Sequence, residues 1–186
     1  MSRKFPIWIA AIVLTASTLI GVSYCGLKKV QDLDSLAESI AEKFPDVEHI
    51  PTFTLAKLLQ IEGDSLLLVD CRNPEEYEVS HIPGAVNLQD PEAVAGALAA
   101  RQDPPEKIAV YCAVGYRSAK LAEALEKAGV ENVVNIRGSI FAWANEDRPL
   151  EKAESEPADK VHPFNEFWSR LLKEDKRATF SKSIDP

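Results

Sequence analysis

The sequence predicts an α/β domain, and two patterns in its central part carry that prediction. Short apolar runs, at the centre of Ser65–Asp70 and of Lys107–Cys112, alternate with segments whose apolar residues recur at helical spacing. Uninterrupted apolar strands separated by helices are typical of a parallel sheet with helices on both faces. We therefore expect a mostly parallel, doubly covered sheet over residues 46–150, an ordinary length for one domain.

The elements of this domain can be placed in order from apolar spacing and from residues that begin or end helices. Asp90 and Pro91 suit the start of the helix at Pro91–Ala100, and Gly129 suits the end of the helix at Tyr116–Gly129. The predicted elements are a strand at Ile50–Phe53, a helix at Thr54–Ile61, a strand at Ser65–Asp70, a short acidic turn after Pro74, a strand at Gly84–Leu88, a helix at Pro91–Ala100, a strand at Lys107–Cys112, a helix at Tyr116–Gly129 and a strand at Asn132–Ile136.

Residues 1–25 predict a membrane segment. Arg3 and Lys4 precede residues 7–25, a run of 19 residues without a charge. As a helix this run would extend about 28 Å, close to the hydrocarbon core of a bilayer at about 30 Å. We expect a single-pass anchor, with a cleaved signal peptide as the alternative. Positive residues stand on both sides of the run, so the preference for a domain on the exported, periplasmic side is slight.

The segments that flank the domain are both predicted to contain a helix. Residues 26–45 have apolar side chains at helical spacing up to Pro45, which predicts an amphipathic stalk helix. Residues 151–186 begin as a charged linker and continue as an amphipathic tail helix that docks on the domain or binds a partner. The apolar residues that predict this tail helix are Phe164, Phe167, Trp168, Leu171 and Leu172.

The charge of the chain excludes some classes of function. The net charge is -8, and residues 46–150 alone hold 9 basic and 17 acidic residues. Such a domain repels phosphate backbones, so we expect no nucleic-acid partner. Three cysteines are too few, and odd in number, for a disulfide framework.

Residues Cys112–Ser118 join the end of a predicted strand to the start of a predicted helix. In an open α/β sheet, ligands bind outside the carboxyl ends of strands. A thiol there faces free N–H groups and the positive end of a helix dipole, which both stabilise a thiolate. Arg117 adds a charge suited to an oxyanion, and Gly115 permits a positive φ. From these seven residues alone, a catalytic cysteine and a buried structural one are equally open.

Longer stretches of the chain resemble the rhodanese (sulfurtransferase) family over about residues 48–150. They are similar to the family's Asp-x-Arg strand end, its Glu-aromatic turn, its His-Ile-Pro-Gly-Ala segment, its cysteine loop and its closing segment before a tryptophan. Ser80 replaces a glycine that often precedes the histidine, and Ser139 stands where a second glycine is common. The matching stretches are Leu66–Leu88, Ile108–Ile136 and Arg137–Trp143.

The resemblance implies a five-stranded parallel sheet and the transfer of a sulfane sulfur through a persulfide on Cys112. The donor would be thiosulfate or a persulfide, the acceptor a thiol, a protein thiol or cyanide, and no metal or organic cofactor is required. Arg117 would orient the anionic donor while loop N–H groups hold the persulfide. The expected substrate-binding residues are Ala113, Val114, Gly115, Tyr116, Arg117 and Ser118.

Two other functions stay open. One is a non-catalytic rhodanese-like binding module tethered to the membrane. The other is a small phosphatase or arsenate reductase, because a related branch of this fold handles phosphate or arsenate with a loop one residue longer. Here four residues separate Cys112 from Arg117, and the shorter loop favours sulfur chemistry.

Several residues near the predicted site are expected to be structural. Asp70 and Arg72 should form ion pairs, Arg72 with one of the two glutamates of the acidic turn. His81 should anchor a turn rather than transfer protons. Cys71 is expected to be a small buried core residue rather than a resolving thiol. No spaced set of histidine, cysteine and carboxylate residues predicts a metal site.

Overall fold

The structure is a computed structural model that describes residues 32–61 and 65–179. Its helices and strands alternate along most of that length, as the apolar spacing predicts. In chain order they are α1 (Leu33–Lys43), β1 (Glu48–Ile50), α2 (Thr52–Ile61), β2 (Leu66–Asp70), α3 (Pro74–Val79), β3 (Val86–Asn87), α4 (Pro91–Ala99), β4 (Lys107–Tyr111), α5 (Tyr116–Lys127), β5 (Val133–Ile136), α6 (Ser139–Asn145), β6 (Leu150–Lys152), β7 (Glu156–Ala158) and α7 (Glu166–Ser169).

Strands β1 to β5 form one sheet in the order β1-β5-β4-β2-β3, and all neighbouring strands in it are parallel. Every residue of β2 is buried, as expected for a strand that is covered on both faces. The predicted five-stranded parallel sheet is confirmed. Because β2 and β4 are neighbours, the residues that follow their carboxyl ends lie side by side.

Alternate residues of the strands pack into two separate apolar layers. On one face, Leu68 lies in a cluster with Leu55 of α2 and Phe141 of α6. On the other face, Val69 packs with Ile40 of α1 and, further along the cluster, with residues of α4 and α5. Helices therefore cover both faces, and the carboxyl ends of the strands are left as the place where loops meet.

The start of the domain differs from the sequence prediction by a few residues. The strand predicted at Ile50–Phe53 is β1 at Glu48–Ile50, and helix α2 already begins at Thr52. Pro51 explains the shift, because it has no N–H for a sheet and its carbonyl accepts the first helical bonds from Thr54 and Leu55.

The segment predicted to be a stalk is packed on the domain. In α1, Ala37 and Ile40 are buried, and Phe44 just after it joins the same apolar layer. The predicted anchor at residues 7–25 lies outside the described residues and stays a prediction. None of the helices in the described part of the chain has the length and apolarity that a membrane span requires.

The tail is neither a plain linker nor a long helix. Its first part forms the antiparallel pair β6 and β7, and only Glu166–Ser169 is α-helical. The side chain of Asn145 accepts a bond from the Lys173 N–H and donates one to the Leu171 carbonyl, so these backbone groups bond to the domain instead of extending the helix. Leu172 is buried, and the tail is thereby fixed on the domain.

Candidate active site

Cys112 follows β4 directly and lies one turn before helix α5. Its side chain is buried in the layer that contains Val110, because residues two apart on a strand share a face. The Gly115 N–H donates to Cys112 Sγ at 3.1 Å. Gly115 has a φ of 108°, and the Asn135 side chain donates to its carbonyl. The turn that directs this N–H at the sulfur therefore requires glycine.

The loop is tied to the start of α6 through Ser139. The Cys112 N–H donates to Ser139 Oγ at 3.1 Å, and the Ser139 hydroxyl donates to the Ile136 carbonyl at 3.0 Å. Backbone bonds from Ile140 to Cys112 and from Phe141 to Ala113 continue the same contact. Ser139 has a φ of 50°, a strained value for a residue other than glycine. The serine that departs from the family pattern thus orients the cysteine backbone.

Cys71 follows β2 and lies next to Cys112. Asp70 pairs with Tyr111 in the sheet, and the Cys71 N–H donates to the Tyr111 carbonyl at 3.0 Å. Both cysteines are buried on the same face. The Cys71 thiol donates to the Cys112 sulfur, and that bond, followed by burial, raises the pKa of Cys71 well above its usual range. Cys71 is a buried core residue, and it is also a direct partner of the thiolate.

The surroundings of Cys112 favour its charged form. Burial alone would raise the pKa of Cys112, since the thiolate loses contact with water. The hydrogen bond from Cys71, the charge of Arg117 and the Ser118 backbone outweigh burial and hold the pKa of Cys112 well below its ordinary value of 9.0. The N–H groups in the first turn of α5 add the positive end of its dipole. The site therefore favours the thiolate form of Cys112.

Arg117 does not face the loop as an unpaired cation. Its guanidinium donates two hydrogen bonds to the Glu76 carboxylate, at 2.8 and 2.9 Å. Glu76 is 2% exposed and also accepts from the Asn73 N–H. The guanidinium carbon of Arg117 lies 5.0 Å from the centroid of the Phe164 ring. Sequence reasoning missed this ion pair. The signal available was the Asn-x-x-Glu spacing of Asn73 and Glu76, a capping box that holds the Glu76 side chain at the start of α3.

Asp70 and Arg72 form a buried ion pair with each other. The Arg72 guanidinium contacts Asp70 Oδ2 at 2.6 Å and donates to the Ser80 carbonyl at 2.6 Å. Both side chains are 0% exposed. The prediction that Arg72 pairs with a glutamate of the acidic turn is wrong, because Arg117 occupies Glu76. The Asp70–Arg72 pair stabilises the loop after β2, because Asp70 also accepts from the Arg72 N–H and Arg72 also donates to the Ser80 carbonyl.

His81 is engaged by the turn in which it lies. Its ring stacks on Tyr77 with centroids 3.8 Å apart, and its Nδ1 is 3.1 Å from the Tyr77 carbonyl. Its Nε2 is 3.5 Å from a carboxylate oxygen of Glu151. These contacts join α3 to β6, and all of them lie outside the cysteine loop.

The remaining loop residues divide by exposure. Ala113, Val114 and Ser118 are buried, whereas Tyr116 is exposed, with its hydroxyl 2.9 Å from the Lys43 ammonium of α1. The loop opens onto a cavity of about 360 Å³ that reaches Cys112. Over the described residues, no group of three or more histidine, cysteine or carboxylate side chains is placed to hold a metal ion.

Comparison with known proteins agrees with this geometry. The model of the rhodanese-like domain family matches residues 54–146, half of the chain. The chain therefore belongs to the rhodanese-like domain family.

Two curated relatives carry sulfur transfer in their names. The probable adenylyltransferase/sulfurtransferase MoeZ of Mycobacterium tuberculosis is 34% identical over 87 residues, which cover 47% of this chain and 22% of that protein. A sulfurtransferase of Allochromatium vinosum is 29% identical over 121 residues, 65% of this chain and 94% of that protein. The chain thus spans about a fifth of the first relative and nearly all of the second.

A solved structure extends the likeness in fold. The thiosulfate sulfurtransferase of Pseudomonas aeruginosa superposes with a TM-score of 0.55 at 20% identity, over 75% of this chain and 26% of that chain. At this identity the likeness shows the fold alone.

Proposed function

We propose that this protein is a sulfurtransferase that carries a sulfane sulfur as a persulfide on Cys112. The observation that carries the proposal is a buried cysteine sulfur that accepts a hydrogen bond from the Gly115 N–H, with the Cys71 thiol as a second donor, beside a cavity of about 360 Å³ that Cys112 helps to line. A cysteine held in this way favours its thiolate form, which is the nucleophilic form. Membership of the rhodanese-like family and the names of the two relatives support the same chemistry.

In the first half-reaction, the Cys112 thiolate attacks the outer sulfur of the donor. A new S–S bond forms on Cys112, and the bond between the donor's two sulfur atoms breaks. The electron pair leaves with the donor, as sulfite from thiosulfate or as a thiolate from an organic persulfide. The Gly115 N–H and the first turn of α5 stabilise the negative charge on the sulfur atoms throughout.

In the second half-reaction, an acceptor thiolate or cyanide attacks the outer sulfur of the Cys112 persulfide. The S–S bond to Cys112 breaks, and its electron pair restores the Cys112 thiolate. The hydrogen bond from Cys71 makes Cys112 a better leaving group, because it stabilises the thiolate that departs. The cycle is then complete, with no net oxidation of the protein.

The charge distribution favours a persulfide over thiosulfate as the physiological donor. Thiosulfate is a dianion, and residues 46–150 hold 17 acidic against 9 basic residues. Glu76 neutralises the loop cation, Arg117, through two hydrogen bonds. We expect thiosulfate to react with a high KM and organic persulfides to react at lower concentration.

The test measures transfer of sulfur to a thiol acceptor, as sulfide released from thiosulfate and from an organic persulfide. Wild-type protein is compared with Cys112→Ser and with Cys25→Ser, which makes the same change outside the described residues. The expected result is activity in wild type and Cys25→Ser and none in Cys112→Ser. Activity that persists in Cys112→Ser would contradict the mechanism, and inactive wild type would favour a binding module.

A further inference from the structure

The cavity above the cysteine loop is closed by segments that lie outside the family match at residues 54–146. Leu36 comes from α1, and Phe164 and Trp168 come from the tail. The full lining consists of Leu36, Cys112, Ala113, Val114, Tyr116, Arg117, Phe164 and Trp168. Apolar side chains from outside the family match therefore form part of the wall of this cavity, next to a cysteine loop that lies within the match.

The tail residues are held in place over the cysteine. Asn165 caps helix α7 by accepting from the Trp168 N–H at 3.1 Å, and Leu172 anchors the segment in the core. Phe164 has a φ of 66°, a strained value for an aromatic residue, and its N–H donates to His162 Nδ1. Such strain persists only where surrounding contacts fix the backbone. The ring of Phe164 is 43% exposed, so burial of that ring does not explain the strain.

The cavity suits an apolar group. Apart from Cys112 itself, Arg117 is the one charged side chain among the described residues that line it, and Glu76 neutralises the charge of Arg117. The remaining walls are aliphatic or aromatic. A volume of about 360 Å³ falls at the lower end of small-molecule sites, which measure about 300 to 1,000 Å³. Cys112 is among the residues that line this space, so a ligand bound there lies next to the reactive cysteine.

We propose that this cavity binds the apolar body of a small organic thiol or hydropersulfide, and that Phe164 and Trp168 determine this specificity. This proposal rests on the proposed function, because it specifies the class of thiol that accepts the sulfur from Cys112. The acceptor thiolate attacks the outer sulfur of the Cys112 persulfide, a new S–S bond forms on the acceptor, and the electron pair of the broken bond returns to Cys112. The product leaves as an organic hydropersulfide.

The first test measures the second half-reaction with two acceptor thiols of similar basicity, benzyl mercaptan and the anionic 2-mercaptoethanesulfonate. Persulfide-loaded full-length protein is compared with Phe164→Ala and Trp168→Ala. Phe53→Ala is the matched control, because Phe53 is 55% exposed and does not line the cavity. Phe164→Leu restores an apolar side chain at the same position.

We expect wild type and Phe53→Ala to prefer benzyl mercaptan. Phe164→Ala and Trp168→Ala should lose about tenfold in kcat/KM for benzyl mercaptan, as expected for lost contact with one aromatic ring, and stay within about twofold for the anionic thiol. Phe164→Leu should recover most of the loss. Equal losses for both acceptors, or a wild type without preference, would overturn the proposal.

A second test examines the cavity without requiring sulfur transfer. Benzyl methyl sulfide has no thiol group and therefore cannot accept sulfur. It should protect Cys112 from alkylation by iodoacetamide in wild type and in Phe53→Ala. The protection should be much weaker in Phe164→Ala and Trp168→Ala. If persulfide formation fails while this protection is found, the proposed function is wrong and the cavity assignment stands. If persulfide forms and wild type is not protected, the cavity assignment is wrong.

Discussion

Replacing Cys71 should raise the pKa of Cys112, because Cys71 donates a hydrogen bond to the thiolate. A hydrogen bond to a charged group is worth about 1.5 to 3 kcal/mol, and one pKa unit corresponds to about 1.36 kcal/mol. The thiol is a weak donor, so the lower part of that range applies. Cys71→Ala should therefore raise the pKa of Cys112 by about 1 to 1.5 units.

The assay follows alkylation of Cys112 by iodoacetamide against pH, with the modified peptide quantified by mass spectrometry. Because the pKa of Cys112 is lowered, the wild-type rate should stay constant well below pH 9.0 and fall only on acidification through that lowered pKa. The fall should begin at higher pH in Cys71→Ala. Cys71→Ser keeps a donor and should shift the profile less. An unchanged or acid-shifted profile in Cys71→Ala would refute the reasoning.

Three further substitutions test the ion pairs and the loop support. Glu76→Gln removes the charge that neutralises Arg117, so the KM for thiosulfate should fall roughly threefold to tenfold at low ionic strength, and an unchanged KM would contradict the charge argument. Ser139→Ala leaves the Cys112 N–H and the Ile136 carbonyl without their partner. The free energy of unfolding in urea should fall by about 2 to 3 kcal/mol. A Ser139→Ala variant as stable as the wild type would show that these two hydrogen bonds contribute little. Asp70→Asn leaves the buried Arg72 guanidinium uncompensated, which should cost about 3 to 5 kcal/mol in the same assay, and a loss below about 1 kcal/mol would be inconsistent with the pair.

The order of helices and strands was predictable because apolar spacing reports burial directly. Runs such as Leu66–Val69 are apolar throughout because both faces of the sheet are covered. The tail was harder to predict, since its apolar spacing fits a helix while its backbone bonds to Asn145, a residue far away along the chain. Tertiary hydrogen bonds of this kind leave no local pattern.

The candidate site shows the same limit. Cys112 stands out in the sequence because a strand end, a glycine and a helix start meet there. The contact with Cys71 depends on which strands are neighbours and on their register, so it becomes visible only with the sheet order. The pairing of Glu76 with Arg117 depends on how α3 faces α5. Local spacing located the candidate nucleophile, whereas the groups that contact it come from elements distant in sequence.

If Cys112 carries sulfur in the catalytic cycle, the mass of the purified protein should change after incubation with a sulfur donor. An organic persulfide or thiosulfate is added, excess donor is removed, and the intact protein and its peptides are analysed without reductant. We expect the wild-type protein to gain one sulfur atom on Cys112 and to lose it when an acceptor thiol is added. The gain should be retained in Cys25→Ser and absent in Cys112→Ser. No gain on Cys112 in the wild type, or an equal gain in Cys112→Ser, would show that Cys112 does not carry the sulfur.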